Sequence, residues 1–253
     1  MSNAQTPTGA VPQLPLTLRY PPDQRLEAYV GASDGVLEQL RTLATVPGGD
    51  WVYLVGPHGV GKTHLLLASC AAADAAGRRT AFLPLAMAAG RLREALEAVE
   101  DYGLVALDGL DAVAGHREDE IALFDAHNRA RASGATLLYS AIENPDALAL
   151  TLPDMRSRLG QCTRVVLSPL DDEGRREVLR QRAQRRGLAL DEPVLEWLLK
   201  RVGRDLSGLT GLLDRLDRAS LAAKRRLTLP FLREVVGPRS RVASSPTDDG
   251  HST

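Results

Sequence analysis

The sequence predicts an α/β domain, in which a parallel sheet is sandwiched by helices, followed by a small all-helical domain. Three observations support this fold class. Between residues 25 and 168, short apolar segments alternate with helical segments, the order that places parallel strands between two layers of helices. From residue 169 to residue 237, apolar residues recur only at helical spacing. A glycine-rich loop at residues 56–63 follows the first apolar segment and opens a helix, as in domains that bind phosphates.

Five short apolar segments are the predicted strands. The first is too uniformly apolar to lie at an exposed edge of a sheet, which predicts a central position. The five segments read WVYLVG (51–56), TAFLPL (80–85), GLVALD (103–108), TLLYSA (136–141) and TRVVLS (163–168).

Helical periodicity fills the segments between and after these strands. Gly77 and Gly134 are predicted to close two of the helices, while Asp171 and Asp191 are plausible N-caps, with Pro193 in the first turn of its helix. The helical segments are 36–44, 62–77, 90–100 and 118–134 in the first domain, and 171–187, 191–203, 205–226 and 228–237 in the second.

The two ends of the chain have a different composition from the domains between them. Residues 1–24 are rich in Pro, Thr, Ser, Asn and Gln and show no lasting period, so we expect a mobile arm. Residues 238–253 have the same character and are expected to be a disordered tail. The predicted domains are therefore residues 25–168 and 169–237.

Composition excludes several classes of protein. With 31 basic and 32 acidic residues the chain has no general cationic field for nucleic acid. Its basic cluster at residues 224–226 either offsets a helix dipole or contacts phosphate. Cys70 and Cys162 cannot build a disulfide framework, and Cys70 is expected to be a small buried hydrophobe. No apolar run reaches the ~18 to 20 residues of a membrane span and no signal peptide is evident, which predicts a cytoplasmic protein.

The loop GPHGVGKT matches the phosphate-binding pattern G-x-x-x-x-G-K-[ST] in the context that its mechanism needs, between a buried strand and a helix. Gly59 and Gly61 let the backbone curl so that its amides point at phosphate oxygens. Lys62 supplies an ammonium group to the outer phosphates, and Thr63 offers its hydroxyl to Mg²⁺. A Gly-rich structural turn is the alternative. The predicted nucleotide-binding residues here are Gly56, Pro57, His58, Gly59, Val60, Gly61, Lys62, Thr63 and His64.

A second nucleotide element is expected at Asp108, the acid that ends the apolar strand LVALD. An acid in this position holds the Mg²⁺ shell of the nucleotide, although a turn or cap would also use an aspartate there. The residue after it is Gly109, and the next acid, Asp111, lies three residues beyond Asp108.

These elements together resemble the AAA+ ATPases. Within that class, the chain resembles the DnaA-related replication proteins, and more narrowly the Hda family of DnaA regulatory inactivators. The resemblance runs from about residue 13 to residue 237. It rests on the sequence segments GVGKTHLLLASC, LDGLDAVAG, FDAHNRARASG, LPDMRSRLG, PLDDEGRREVLRQRAQRRGL, LLKRV and LDRASLAAKRRLTLPFLREVV.

The resemblance implies that Arg158, in the SRL box, is an arginine finger that reaches a nucleotide held by a neighbouring subunit. The alternative is that Arg158 or Arg156 pairs with a surface carboxylate. Such a finger stabilises the charge of the transferred phosphoryl group.

Three positions depart from the family pattern of an efficient ATPase. Gly109 stands where a second acid would orient water, Ile142 where a polar sensor would lie, and Ser207 where a lid arginine would touch the nucleotide. Arg204 is a possible lid contact, or else a solvated helix residue. We therefore expect a site that binds ADP or ATP with Mg²⁺ and hydrolyses ATP poorly.

The segment QLPLTL in the N-terminal arm resembles the hexapeptide that tethers Hda proteins to the sliding clamp, the β subunit of DNA polymerase III. Gln13 would donate a directional hydrogen bond, and Leu14, Leu16 and Leu18 would enter a groove of the clamp. Thr17 departs from the proline often found at the fifth position. A Pro-rich linker, or an arm packed on its own domain, is the alternative interpretation.

The sequence thus favours a regulator of chromosome replication initiation that, held on the clamp, stimulates hydrolysis of DnaA-bound ATP and prevents re-initiation. The expected partners are DnaA, the clamp and possible further copies of the chain, and the expected location is the cytoplasm, at the nucleoid through the clamp. No DNA-reading helix-turn-helix of the initiator type is recognisable. The competing hypothesis is an autonomous AAA+ ATPase, or a DnaA-like loader or adaptor acting on DNA.

Overall fold

The computed structural model describes residues 20, 24–188, 190–201, 206–223 and 228–236. The strands of the described part of the chain are β1 (Val52–Val55), β2 (Thr80–Pro84), β3 (Leu104–Asp108), β4 (Thr136–Ala141) and β5 (Thr163–Val166). They form one parallel sheet with the strand order β2-β3-β4-β1-β5. The fold class predicted from the sequence is confirmed.

Strand β1 lies between β4 and β5, the central position that its uniform apolarity predicts. Val52 is in register with Leu138 on one side and Thr163 on the other. Because all the strands are parallel, their carboxyl ends meet at one edge of the sheet, where ligands bind in open α/β sheets. The glycine-rich loop follows β1, and Asp108 is the last residue of β3, so both lie at this edge.

Alternate residues of β1 enter two apolar cores, one on each face of the sheet. The helices of this domain are α1 (Asp34–Thr45), α2 (Lys62–Ala75), α3 (Leu85–Ala88), α4 (Leu92–Glu97), α5 (Arg117–Ser133) and α6 (Pro153–Gly160), with 3₁₀ turns at Leu26–Ala28 and Leu110–Ala112. Val52 and Leu54 pack with α1 and α2, while Tyr53 and Val55 pack with α3 to α6.

The structure differs from the sequence prediction most clearly at β2, α4 and α6. Strand β2 ends at Pro84, and Leu85 opens the short helix α3 instead of extending the strand. Helix α4 spans Leu92–Glu97, and its predicted start at Gly90 is wrong because Gly90 has a left-handed φ of 79° and lies outside the helix. Helix α6 is not evident from periodicity, since only two of its eight residues, Met155 and Leu159, are buried.

The second domain is helical and has a core of its own. Its helices are α7 (Asp172–Arg185), α8 (Glu192–Arg201), α9 (Leu206–Ala223) and α10 (Leu229–Val236). Asp171 caps α7 as predicted, accepting a hydrogen bond of 2.8 Å from the amide of Gly174. Leu179, Leu198, Leu213 and Phe231, one from each helix, are buried together.

The described residues of the predicted arm lie against the first domain. The hydroxyl of Tyr20 is 2.7 Å from Oγ1 of Thr80 in β2, so this end of the arm is attached to the sheet. The predicted clamp-binding segment 13–18 and the predicted tail 238–253 lie outside the described residues. Within the described ranges, no helix combines the length and apolarity that crossing a membrane requires.

Candidate nucleotide-binding site

The glycine-rich loop joins β1 to α2, and its shape requires glycine at particular positions. Gly59 and Gly61 have φ angles of 78° and 92°, in the left-handed region that the sequence prediction needed. A Cβ on Gly61 would lie 2.6 Å from the ring of Tyr29, and one on Gly56 would lie 2.3 Å from the carbonyl oxygen of Leu167. A side chain at either position would therefore displace backbone or a packed ring.

Lys62, the first residue of α2, folds over the loop that precedes it. Its Nζ donates hydrogen bonds to the carbonyl oxygens of Gly56 (2.5 Å) and Pro57 (2.9 Å). Burial lowers the pKa of Lys62, and the carboxylates of Asp111 and Asp108 partly offset that effect. An ammonium group held between carbonyls, next to the amides of a helix N-terminus, is suited to hold an anion such as phosphate.

Asp108 is held by two hydroxyl groups. Thr63 donates from Oγ1 to one carboxylate oxygen at 2.7 Å, and Ser140 donates from Oγ to the other at 2.5 Å. The same Ser140 oxygen accepts a hydrogen bond from the amide of Gly109 at 2.9 Å. The structure therefore brings together the hydroxyl and the carboxylate predicted to hold Mg²⁺, and both are hard oxygen donors that suit this ion.

Ser140 is a residue that the sequence analysis missed. It lies near the end of a strand whose residues are all buried, and its own exposure is 0%. A buried hydroxyl in a central strand must find a hydrogen-bonding partner. The need of a buried hydroxyl for a partner, combined with the register of β3 and β4, could have predicted that Ser140 lies beside Asp108.

The residue after Asp108 is not an acid, and the next acid along the chain, Asp111, is hydrogen-bonded to another segment. Gly109 has a φ of 82°, and it leads into the 3₁₀ turn that contains Asp111. Both carboxylate oxygens of Asp111 accept a hydrogen bond from the amide of Ile142, at 3.0 and 2.9 Å. Asp111 thus lies near the site, where it binds the segment that follows β4.

A cavity of about 590 Å³ opens above the loop, a size within the range of small-molecule sites. Tyr29 forms part of its wall and donates from its hydroxyl to the carbonyl of Val60 at 2.7 Å; burial raises the pKa of Tyr29 to about 12. The lining includes the predicted residues His58, Gly59, Gly61, Lys62, Thr63, His64 and Asp108, together with Gly109, Asp111 and Ile142. Of the other predicted residues, Gly56 and Val60 shape the loop, and Pro57 is exposed.

The helical domain contributes Val178 and Arg182, both from α7, to the wall of this cavity. Arg182 was not singled out from the sequence, because α7 carries several arginines and its periodicity does not tell which one faces a cavity. Arg204 lies outside the described residues, and Ser207 lies in the first turn of α9. Among the described residues of the helical domain, Arg182 is the cation that lines this cavity.

Arg158 lies on α6, outside the lining of this cavity. Its guanidinium group is 6.0 Å from the ring centroid of Phe124, and no carboxylate of the described residues forms an ion pair with it. Arg156, in contrast, donates to the carbonyl of Leu150 at 2.7 Å. Of the two arginines in this helix, Arg156 is therefore used within the fold.

Comparison with known proteins finds a family model for the helical domain and solved structures with the fold of the chain. Residues 172–236 match a family model described as "Hda, lid domain". The chain is similar to domain III of the replication initiation protein DnaA from Thermotoga maritima, with a TM-score of 0.71 at 20% identity over 87% of this chain and 98% of that one.

Two further solved structures share the fold. AMPPCP-bound DnaA from Aquifex aeolicus gives a TM-score of 0.62 at 20% identity, covering 78% of this chain and 65% of that one. The RuvB Holliday junction branch migration motor of Thermotoga maritima gives 0.62 at 16% identity, covering 84% of this chain and 71% of that one. At these identities the likeness is one of fold. Together with the lid-domain match, it relates the chain to the AAA+ proteins of the Hda and DnaA group, as its motifs predicted.

Proposed function

We propose that this chain is a nucleotide-binding regulator of replication initiation, which supplies Arg158 to ATP held by DnaA and stimulates its hydrolysis. The observation that carries the proposal is the arrangement of two functional parts on one chain. A phosphate-binding site is formed at Lys62, Thr63 and Asp108, and an arginine without a carboxylate partner among the described residues lies away from it on α6.

The chain's own site is suited to bind a nucleotide more than to hydrolyse one. Efficient hydrolysis needs a group that orients the attacking water. Gly109 has no side chain, and the carboxylate of Asp111 is engaged by the amide of Ile142. The bound nucleotide would thus stabilise the fold or the oligomeric state, since a ligand that binds only the folded state adds to its stability.

Arg158 would act on a second molecule. It cannot serve the cavity of its own chain, because it does not line that cavity. An arginine supplied in trans stabilises the charge that develops on a transferred phosphoryl group and is worth about 10³ to 10⁵ in kcat. The lid-domain match supports DnaA as the partner whose ATP receives it.

The clamp tether is the third part of the proposal. Gln13, Leu14, Leu16 and Leu18 would bind the sliding clamp through the motif that the sequence contains. Tethering raises the effective concentration of a partner held on the same DNA. Inactivation of DnaA would then follow the loading of clamps, and so follow the start of replication.

The test is an ATPase assay of purified DnaA with DNA-loaded clamp, in which this chain is present or absent. We expect the chain to accelerate conversion of DnaA-bound ATP to ADP, while its own turnover without DnaA stays low. Rapid turnover by the chain alone, abolished by Lys62→Ala, would instead support an autonomous ATPase.

The tether is tested separately by Gln13→Ala/Leu14→Ala. We expect this variant to lose retention on loaded clamps and to bind nucleotide like the unchanged chain. Clamp retention equal to that of the unchanged chain would show that residues 13–18 are not the tether.

A further inference from the structure

Glu120 is a carboxylate that the structure uses to join two separate segments. It lies in the first turns of α5, where an acid would ordinarily be a solvated partner of the helix dipole, yet it is fully buried (0% exposed). Its oxygens accept hydrogen bonds from the amides of Gly115, Thr151 and Leu152 and from the hydroxyl of Thr151, at 2.7 to 3.0 Å. A buried carboxylate is retained in a fold when its oxygens are satisfied in this way.

The two segments joined by Glu120 belong to the two functional parts of the molecule. Gly115 lies after the 3₁₀ turn Leu110–Ala112, in the segment that leads from Asp108 at the nucleotide site to α5. Thr151 and Leu152 precede Pro153, the first residue of α6, and Leu152 is the N-cap of that helix. Glu120 therefore fixes the start of the helix that carries Arg158.

Two further contacts hold the connection between β4 and α6. Asp111 binds the amide of Ile142 at its beginning, and Arg156 reaches back from α6 to the carbonyl of Leu150 near its end. Along this connection Leu148 and Leu150 are buried in the core. Both ends of the connection are thus held. Glu120 holds the two residues immediately before Pro153, so the course of the chain into α6 depends on the contacts of Glu120 together with the buried Met155 and Leu159 of the helix itself.

Electrostatics at Glu120 agree with a carboxylate that stays ionised. Burial by itself raises the pKa of Glu120, but hydrogen bonds from Thr151, Gly115 and Leu152 outweigh it, so that the pKa lies below its ordinary value. Glutamine cannot replace these contacts. It has one acceptor oxygen, and its amide group would direct N–H donors at the donors of Thr151 and Leu152.

We propose that Glu120 is a positioning residue for Arg158: by binding Gly115, Thr151 and Leu152 it sets the direction of α6 and hence the place that the guanidinium group reaches. This inference rests on the proposed function, in which Arg158 acts on ATP bound to DnaA. Small displacements of a positioned group are costly, since about 1 Å of misplacement reduces a rate by roughly 10²-fold.

The neighbouring residue provides a matched control. Asp119 is also a buried carboxylate (3% exposed), but its oxygens accept from the amides of Gly90 and Leu92 at the start of α4. Asp119→Asn and Glu120→Gln thus remove the same charge from adjacent positions of α5. The first change affects α4, and the second affects α6.

The kinetic test measures DnaA-bound ATP hydrolysis over a range of concentrations of each variant of the full chain. We expect Glu120→Gln to lower the rate at saturating concentration by at least tenfold, with nucleotide binding by the variant itself retained, and Asp119→Asn to keep the rate within about twofold of the unchanged chain. Equal losses in both variants, or no loss in Glu120→Gln, would overturn the proposal.

A second readout does not depend on DnaA. Both native cysteines are buried, so a spin label at Ser157→Cys, an exposed position of α6, reports the order of that helix. We expect the label to become more mobile when Glu120→Gln is added and to keep its mobility with Asp119→Asn. If the label is equally ordered with Glu120→Gln, Glu120 does not position α6. If the unchanged chain fails to stimulate DnaA while the label responds as expected, the proposed function fails and the positioning role stands.

Discussion

His127 provides a stability prediction whose size can be worked out from the structure. It lies on α5 at 1% exposure, and its Nδ1 is 3.0 Å from the hydroxyl of Tyr139. Its Nε2 is buried without a hydrogen-bond partner among the described residues. Burial, together with the guanidinium groups of Arg131 and Arg158, lowers the pKa of His127 to about 4. The folded chain therefore keeps this imidazole neutral at pH values where an unfolded chain would protonate it.

The consequence is a loss of stability on acidification. An unfolded histidine takes up its proton near pH 6.5, whereas folded His127 does so only near pH 4, so the unfolded state binds more protons throughout this window. Between pH 7.5 and 4.5 this difference reduces the free energy of unfolding by about 2.5 kcal/mol. Below the folded pKa the contribution stays constant, because both states are protonated.

Urea unfolding at several pH values measures this effect. His127→Gln removes the titrating ring and retains a polar group for Tyr139. Over the same pH range, the free energy of unfolding of this variant should fall by about 2.5 kcal/mol less than that of the unchanged chain. Comparing the two chains cancels the contributions of carboxylates that titrate in the same window. His116→Gln, at an exposed position, is the control and should follow the unchanged chain. Parallel curves for the unchanged chain and His127→Gln would refute the argument.

Two further predictions concern the nucleotide site. Ser140→Ala leaves Asp108 with one fewer donor and should cost about 1 to 3 kcal/mol in urea unfolding and weaken Mg²⁺-dependent nucleotide binding. The exposed Ser133→Ala should change neither, and equal effects of the two would contradict the assignment. Arg182→Ala should raise the Kd for ADP about tenfold in a calorimetric titration, by loss of one charge-assisted contact. The control Arg185→Ala, at an exposed position of the same helix, should leave the Kd for ADP unchanged. A Kd that is also unchanged by Arg182→Ala would show that Arg182 does not contact the nucleotide.

Much of the fold was predictable because its signals are local. Strands with apolar residues throughout and helices closed by glycine were identified from composition and period alone, as at Gly134, whose φ is 74°. The meeting of Thr63 with Asp108 was also predictable, since parallel strands end at the same edge of a sheet. These inferences need only the chain order and the geometry of a parallel sheet.

The remaining parts of the site depend on contacts between distant segments, which period and composition do not encode. Glu120 lies in an acidic run that is typical of a solvated helix start, and only the fold brings Thr151 onto it. Arg182 is one of several arginines in α7, and only packing against the first domain selects it. Helix α6 was missed because it buries only two residues, too few to produce a clear period.

The most direct test of the central claim is single-turnover hydrolysis of ATP bound to DnaA, on loaded clamps, with Arg158→Ala at saturating concentration. We expect the rate to fall to that of DnaA without this chain, while the variant still binds DnaA and the clamp. The reason is that the variant lacks only the guanidinium group that stabilises the charge of the transition state. Arg164→Ala, an exposed arginine of β5 that donates to Asn144, is the control and should stimulate normally. Stimulation by Arg158→Ala equal to that of the unchanged chain would contradict the account.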